Sequence, residues 1–159
     1  EAYTFEIRND EIWTSLADKG MGSIQATLLI LRLASLIRHQ KVKNKNYTLI
    51  LEEPELNLHP ALQSKLSDLF FEVNNKYNIE FVIETHSEYM IRRSQVLTAE
   101  LDFNTIAGDL DLLPFSTLYF PSNVFDNVYS MEYREDGKFK NEFGTGFFDE
   151  STNLAFEIL

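Results

Sequence analysis

Two strand-length segments rich in apolar residues in the first hundred residues predict buried β-strands. Tyr47 to Leu51 and Ile79 to Glu84 have strand length and polar flanks, the pattern of strands in a parallel sheet. Between them, Pro60 pre-sets the first turn of a helix predicted over 60–76. A further helix is expected to begin at Ser87, after the second strand. Strand, helix and strand in this order predict an α/β fold with parallel strands and crossover helices.

The segment before the first run predicts one more strand and one more helix. Tyr3, Phe5 and Ile7 alternate with polar residues, which is typical of a short half-buried strand. After a polar stretch, Ser23 is expected to cap a helix that continues to about residue 40 and is buried on two sides. Its apolar positions include Ile24, Leu28, Leu31 and Leu36. The helix over 60–76 is expected to bury Leu62, Leu66, Leu69 and Phe70.

The pattern becomes β-rich in the last third of the chain. Runs at 116–120 and 127–134 predict strands, and Asp136-Gly137 predicts a turn that leads into a further strand of an antiparallel hairpin. A short helix is expected to follow residue 151. The predicted domains are therefore 1–115, the α/β part, and 116–159, a β-rich C-terminal appendage.

Composition and charge narrow the classes of partner. The chain has 159 residues, 44% of them apolar and 25% charged, which is ordinary for a folded domain. It has no Cys, which excludes disulfides, thiolate metal sites and Cys nucleophiles and fits a reducing compartment, so we expect a cytoplasmic protein. The net charge of −11 argues against a chain that coats itself in nucleic acid. No apolar run has membrane-spanning length, so no membrane partner is expected.

Polar clusters follow both predicted parallel strands. Glu52 to Glu55 come directly after the first strand, and Thr85 to Ser87 come directly after the second. Because parallel strands end at the same edge of a sheet, we expect both clusters at the edge where open α/β sheets bind ligands. Three carboxylates beside a histidine are costly unless a cation neutralises part of the charge, and oxygen ligands suit a Mg²⁺ that also holds phosphates.

Three segments carry a family resemblance. Residues 49–60, LILEEPELNLHP, resemble the Walker B strand and D-loop of an ABC-type ATPase in the branch of SMC, RecF and OLD-family proteins. Residues 84–87, ETHS, resemble the switch-histidine motif of that branch, and residues 18–25, DKGMGSIQ, resemble its signature loop. Residues 146–150, GFFDE, are similar to a C-terminal domain of unknown function found on some bacterial AAA-type ATPases. The resemblance implies a partial P-loop NTPase fold.

The resemblance also implies a role for each matching residue. Glu52 would be the carboxylate on the Mg²⁺ side, Glu53 the base that orients the attacking water, and His86 the contact of the γ-phosphate. The remaining matching residues would bind the nucleotide held by a second protomer or contact that protomer. They are Gly20, Gly22, Ser23, Gln25, Asn57 and His59.

The phosphate-binding loop of such ATPases is missing from these residues. No G-x-x-x-x-G-K-[ST] string occurs, so we expect this chain alone to bind ATP poorly and to hydrolyse none at a meaningful rate. In the intact protein the resemblance implies an ATP- and Mg²⁺-dependent head-to-tail dimer, in which the second protomer or the missing N-terminal half is the partner. DNA or an effector nuclease, in repair or phage defence, would be the further partner.

Two other functions stay open at this point. One is a non-catalytic interaction module that kept the fold and lost the phosphate loop. The other is a metal-dependent nuclease built on Glu52, Glu53, Glu55 and His86. For His59, setting the start of the helix at Pro60 is as good an explanation as a contact with another protomer.

Overall fold

A computed structural model of the protein describes residues 4–9, 11–43, 45–101, 113–121 and 127–157. The chain divides into two units, residues 1–87 and residues 88–159. The predicted boundary at residue 115 stays a prediction.

The first unit begins with a hairpin that the sequence did not predict. Strands β1 (Glu6–Asn9) and β2 (Ile12–Ser15) pair antiparallel, and a short 3₁₀ turn, Leu16–Asp18, follows them. The predicted strand at residues 3–7 is therefore shifted, because β1 extends to Asn9 to pair with β2. Helix α1 (Met21–Lys43) comes next.

The parallel pair predicted from the two apolar runs is confirmed. Strands β3 (Tyr47–Glu52) and β4 (Ile79–Glu84) run side by side, joined by helix α2 (Pro60–Tyr77). Their register aligns the first residues of both strands and ends with Glu52 opposite Glu84. The core of the unit lies where α1 and α2 cover this pair, and it centres on Leu36, Val73 and Ile79.

Helix α1 differs from the prediction in its first residue and in its burial. It begins at Met21, so Ser23 lies inside its first turn, where the Ser23 amide donates to the Gly20 carbonyl oxygen at 2.9 Å. Burial on two sides was wrong: its buried residues are Gly22, Leu33 and Leu36, whereas Leu28 and Leu31 are 59% and 44% exposed. The parallel sheet has two strands among the described residues, and they cover one stripe of this helix.

Helix α2 follows the prediction more closely. Leu66 and Phe70 are buried and Leu69 packs on the core, although Leu62 in the first turn is 49% exposed. Asn78 caps the C-terminal end of the helix: it adopts the left-handed conformation (φ 51°, ψ 43°) and donates its backbone N–H to the Asn74 carbonyl. Asparagine tolerates this conformation better than other non-glycine residues.

By length and composition alone, α1 is also able to cross a membrane. The most apolar 18-residue window of the helix has a mean hydropathy of 1.3, and 17% of that window is buried. Core helices of water-soluble proteins pass the same test, so the finding leaves the expected absence of a membrane partner a prediction.

The second unit contains helix α3 (Glu88–Ala99), strands β5 (Thr117–Tyr119) and β6 (Tyr129–Met131), and helix α4 (Glu150–Glu157). Strands β5 and β6 pair antiparallel, so both predicted strands are present in shorter form, and residues 122–126 lie outside the described residues. The turn at Asp136-Gly137 is confirmed, because Gly137 has φ 76° and donates to the Arg134 carbonyl. The further strand is reduced to one bridge, Tyr133 to Phe139.

Tyr133 anchors this unit. Its buried hydroxyl forms hydrogen bonds with Ser94 of α3 and Thr117 of β5, both at 2.8 Å. Burial raises the pKa of Tyr133, and the two hydrogen bonds oppose that rise. The predicted short helix at the C-terminal end is confirmed as α4.

Candidate functional site

The carboxyl ends of β3 and β4 bring the two polar clusters to one edge of the sheet. Glu52 and Glu84 are opposite each other in the register, and the Glu53 amide extends the ladder by donating to the Glu84 carbonyl at 3.0 Å. Glu53 then adopts a left-handed backbone with φ 42°. This conformation is unfavourable for glutamate by roughly 1–2 kcal/mol and is the kind of strain that collects at functional sites.

Glu53 and His86 face each other across this edge. Glu53 Oε1 lies 3.5 Å from His86 Nε2, and both side chains are accessible, at 43% and 74% of their maximum exposure. The contact is an ion pair when the imidazole is protonated. The two residues predicted as catalytic are thus brought together by the strand pairing, with their polar atoms open to a ligand from outside.

Glu55 behaves differently from the two glutamates before it. It is 6% exposed, and its Oε1 accepts from the Thr85 hydroxyl at 2.5 Å and from the His86 amide at 2.9 Å. A side chain of the first polar cluster therefore holds the backbone of the second. The sequence pattern predicts one accessible cluster of three carboxylates, Glu52, Glu53 and Glu55. It does not indicate that the Glu55 side chain is buried.

Two consecutive turns shape the segment from Glu53 to His59. The Leu56 amide donates to the Glu53 carbonyl, and the Leu58 amide donates to the Glu55 carbonyl, each at 3.0 Å. Asn57 has φ 62°, the second left-handed residue of this segment. Asparagine is suited to such a position because its short polar side chain tolerates it.

The start of α1, which carries the predicted signature loop, packs on these turns. Asn57 Nδ2 donates to Gln25 Oε1 at 3.3 Å. A Cβ atom on Gly22 would overlap the Asn57 carbonyl oxygen and would lie 3.1 Å from Leu58 Cδ2, so the buried Gly22 allows the close approach. Gly20 and Ser23 are exposed, and a Cβ atom on Gly20 would meet open space.

His59 has a structural task in this unit. It is the N-cap of α2, and its Nδ1 accepts from the Ala61 amide at 3.2 Å. The residue therefore sets the start of the helix ahead of Pro60, one of the two explanations that its sequence position allows. A contact of His59 with a second protomer stays a prediction.

The donor set at this edge fits a metal ion that is shared with phosphates. The described residues contain no group of three or more His, Asp or Glu side chains placed to hold a metal ion. Glu52 and Glu53 remain at the strand end, and Mg²⁺ is commonly bound through one or two carboxylates together with substrate phosphates and water. The alternative of a metal-dependent nuclease needs Glu55 as a further metal ligand. The Glu55 carboxylate is buried and accepts a hydrogen bond from Thr85, which disfavours that alternative.

Comparison with known proteins gives the family. A model of the AAA ATPase domain matches residues 2–91, which is more than half of the chain and contains all the residues of the candidate site. Searches of curated proteins and of solved structures each gave no match. The chain therefore belongs to the AAA ATPase domain family, whose members bind nucleotide, usually together with Mg²⁺.

Proposed function

We propose that the chain supplies one part of the catalytic site of an ATP-hydrolysing switch protein of the SMC, RecF and OLD-like type. The observation that carries the proposal is the approach of Glu53 to His86 at 3.5 Å across the ends of two parallel strands. The membership of the AAA ATPase domain family supports the reaction class.

Each residue at the strand ends has a task in phosphoryl transfer. Glu52 holds Mg²⁺, which when bound neutralises charge on the phosphate oxygens. Glu53 accepts a hydrogen bond from the attacking water and holds its oxygen in line with the γ-phosphate. His86 donates from Nε2 to an equatorial oxygen of the γ-phosphate, where negative charge has to be stabilised.

The signature loop acts on a second nucleotide in this proposal. The first turn of the 23-residue helix, which follows the exposed residue Gly20, offers backbone N–H groups to the γ-phosphate held by another protomer, and the exposed Ser23 offers its hydroxyl. Two protomers then enclose two ATP molecules head to tail, and hydrolysis reopens the dimer. The phosphate-binding loop comes from residues outside this chain, since no G-x-x-x-x-G-K-[ST] string occurs within it.

The test is a turnover measurement on the ATPase assembled from this chain and a segment that carries the phosphate-binding loop. Glu53→Gln keeps the shape of the side chain and removes the base, so kcat is expected to fall about 10²- to 10⁴-fold while ATP binding is retained. Glu72→Gln, in an exposed position on α2, is the matched control and is expected to leave kcat unchanged.

Unchanged turnover in Glu53→Gln would remove Glu53 from the catalytic role. An assembled protein that neither hydrolyses ATP nor changes its association with nucleotide would favour the interaction module instead. The partners, whether DNA or an effector nuclease, belong to the proposal and rest on the resemblance of residues 18–25, 49–60 and 84–87.

A further inference from the structure

A closed set of hydrogen bonds joins the two loops that carry Glu53 and His86. The Thr85 hydroxyl donates to Glu55 Oε1, and the oxygen of that hydroxyl accepts from the Ser87 amide at 3.0 Å. The Ser87 hydroxyl donates to Gln63 Oε1 at 2.6 Å, on the first turns of α2. Gln63 Nε2 donates to the Leu58 carbonyl at 2.9 Å, and the Leu58 amide returns to the Glu55 carbonyl. We name this set, Glu55, Leu58, Gln63, Thr85 and Ser87, the loop ring.

Two members of the loop ring, Glu55 and Ser87, are buried from solvent. Glu55 and Ser87 are 6% and 5% exposed, whereas Glu53 and His86 beside them are accessible. Hydrogen bonds to a carboxylate are stronger than bonds between neutral groups, and a low local dielectric strengthens them further. The ring is therefore a rigid support beneath two accessible side chains.

The ring has a direct bond to the backbone of His86. The His86 amide donates to Glu55 Oε1 at 2.9 Å, which fixes the peptide that carries the imidazole. Glu55 also lies two residues after Glu53, within the turn that the Glu53 carbonyl closes with the Leu56 amide. Glu55 thus lies in the turn that follows Glu53, and its carboxylate holds the backbone of His86 on the other side of the 3.5 Å contact between Glu53 and His86.

We infer that Glu55 is a positioning residue, which acts through its bonds to the Thr85 hydroxyl and the His86 amide to keep His86 at the distance from Glu53 that catalysis needs. The inference rests on the proposed function, because it takes both residues to act on the same γ-phosphate. It adds to that function a rigid coupling, by which a shift of the switch loop, 85–87, moves the turns at 53–59 and their contact with Gln25.

The matched pair Thr85→Val and Thr85→Ser tests the inference. Valine keeps the shape of threonine and removes the hydroxyl, whereas serine keeps the hydroxyl and removes the methyl group. Hydrogen exchange of the full chain, followed by NMR, reports the His86 and Ser87 amides separately from the strand amides of Leu51 and Val82. We expect Thr85→Val to accelerate exchange at His86 and Ser87 about 10- to 100-fold, with strand amides unchanged and Thr85→Ser close to the wild type.

The kinetic arm uses the assembled ATPase. If Glu55 acts through Thr85, Thr85→Val lowers kcat at least tenfold with little change in KM, and Thr85→Ser restores it. Unchanged exchange at His86 in Thr85→Val would overturn the inference, and so would equal acceleration at the strand amides, because the effect would then be a general loss of stability.

A further variant keeps the test decisive if Thr85→Val does not fold. Glu55→Gln retains an acceptor oxygen and loses the charge, so exchange at His86 is expected to rise about 3- to 10-fold with the strand amides unchanged. No change at His86 would overturn the inference. Altered exchange at His86 together with no ATP hydrolysis even in the wild-type assembled ATPase would instead refute the proposed function and leave the structural coupling intact.

Discussion

Gly22 is the residue at which one added methyl group should separate the start of α1 from the turns at 53–59. In Gly22→Ala the Cβ atom overlaps the Asn57 carbonyl oxygen and lies 2.9 Å from the Asn57 carbonyl carbon and 3.1 Å from Leu58 Cδ2. The overlapped atoms belong to the backbone of a left-handed residue with φ 62°, so they cannot move aside by a side-chain rotation. Either α1 or the turn has to shift.

The expected loss of stability combines two opposing terms. Overpacking of this kind costs about 1–3 kcal/mol, and the clash with a backbone carbonyl places Gly22→Ala in the upper part of that range. Alanine gains up to about 1 kcal/mol over glycine in a helix, and less at the second helical position. We therefore expect the free energy of unfolding to fall by about 1–2 kcal/mol.

Urea unfolding of the full chain measures this loss, and amide chemical shifts report where the structure moves. The shifts should change most at Gln25, Asn57 and Leu58. The control is Gly20→Ser, which adds a larger side chain at the same end of the helix, where a Cβ meets no atom within 4 Å. It is expected to change stability by less than about 0.5 kcal/mol, because serine is favourable at a helix start. A Gly22→Ala variant as stable as the wild type would refute the packing of α1 on Asn57.

Two further predictions concern residues outside the candidate site. Because burial raises the pKa of Tyr133 above its usual value near 10, the neutral form stabilises the fold below pH about 10 and this contribution is lost as pH rises through the folded-state pKa. Tyr133→Phe should cost about 1–3 kcal/mol at pH 8, and its difference from the wild type in urea unfolding should narrow at higher pH; a constant difference would contradict the assignment. Asn78→Ala should destabilise the chain by about 1 kcal/mol, whereas Asn78→Gly should not, because φ is 51° there. Equal thermal midpoints for the two variants would contradict that explanation.

The sequence predicted the parallel pair well because its signals are local and agree with each other. Each strand is a segment rich in apolar residues, and Pro60 marks the start of the helix between them. The strand direction then follows from the short connection through one helix, which places Glu53 and His86 at the same edge. The position of these two residues at one edge of the sheet could therefore be expected from topology, whereas their contact could not.

The inner faces of the helices were harder to predict. Leu28, Leu31 and Leu62 have the same apolar character as Leu36 and Leu66, and hydropathy does not say which stripe the two strands will cover. The direction of Glu55 was missed for a related reason. Its partners, Thr85 and the His86 amide, are about thirty residues away, and no pattern around Glu55 distinguishes it from Glu52 or Glu53.

The association state of the Glu53→Gln variant in the assembled ATPase, measured by light scattering with and without Mg-ATP, tests the central claim most directly. If Glu53 orients the attacking water and the signature loop contacts the nucleotide of a second protomer, this variant binds ATP, does not turn it over and accumulates as a dimer. Removing ATP should return it to the smaller form. A variant that binds ATP without hydrolysing it, yet has the same mass in both conditions, would contradict the head-to-tail dimer, and one that still hydrolyses ATP at the wild-type rate would contradict the role of Glu53.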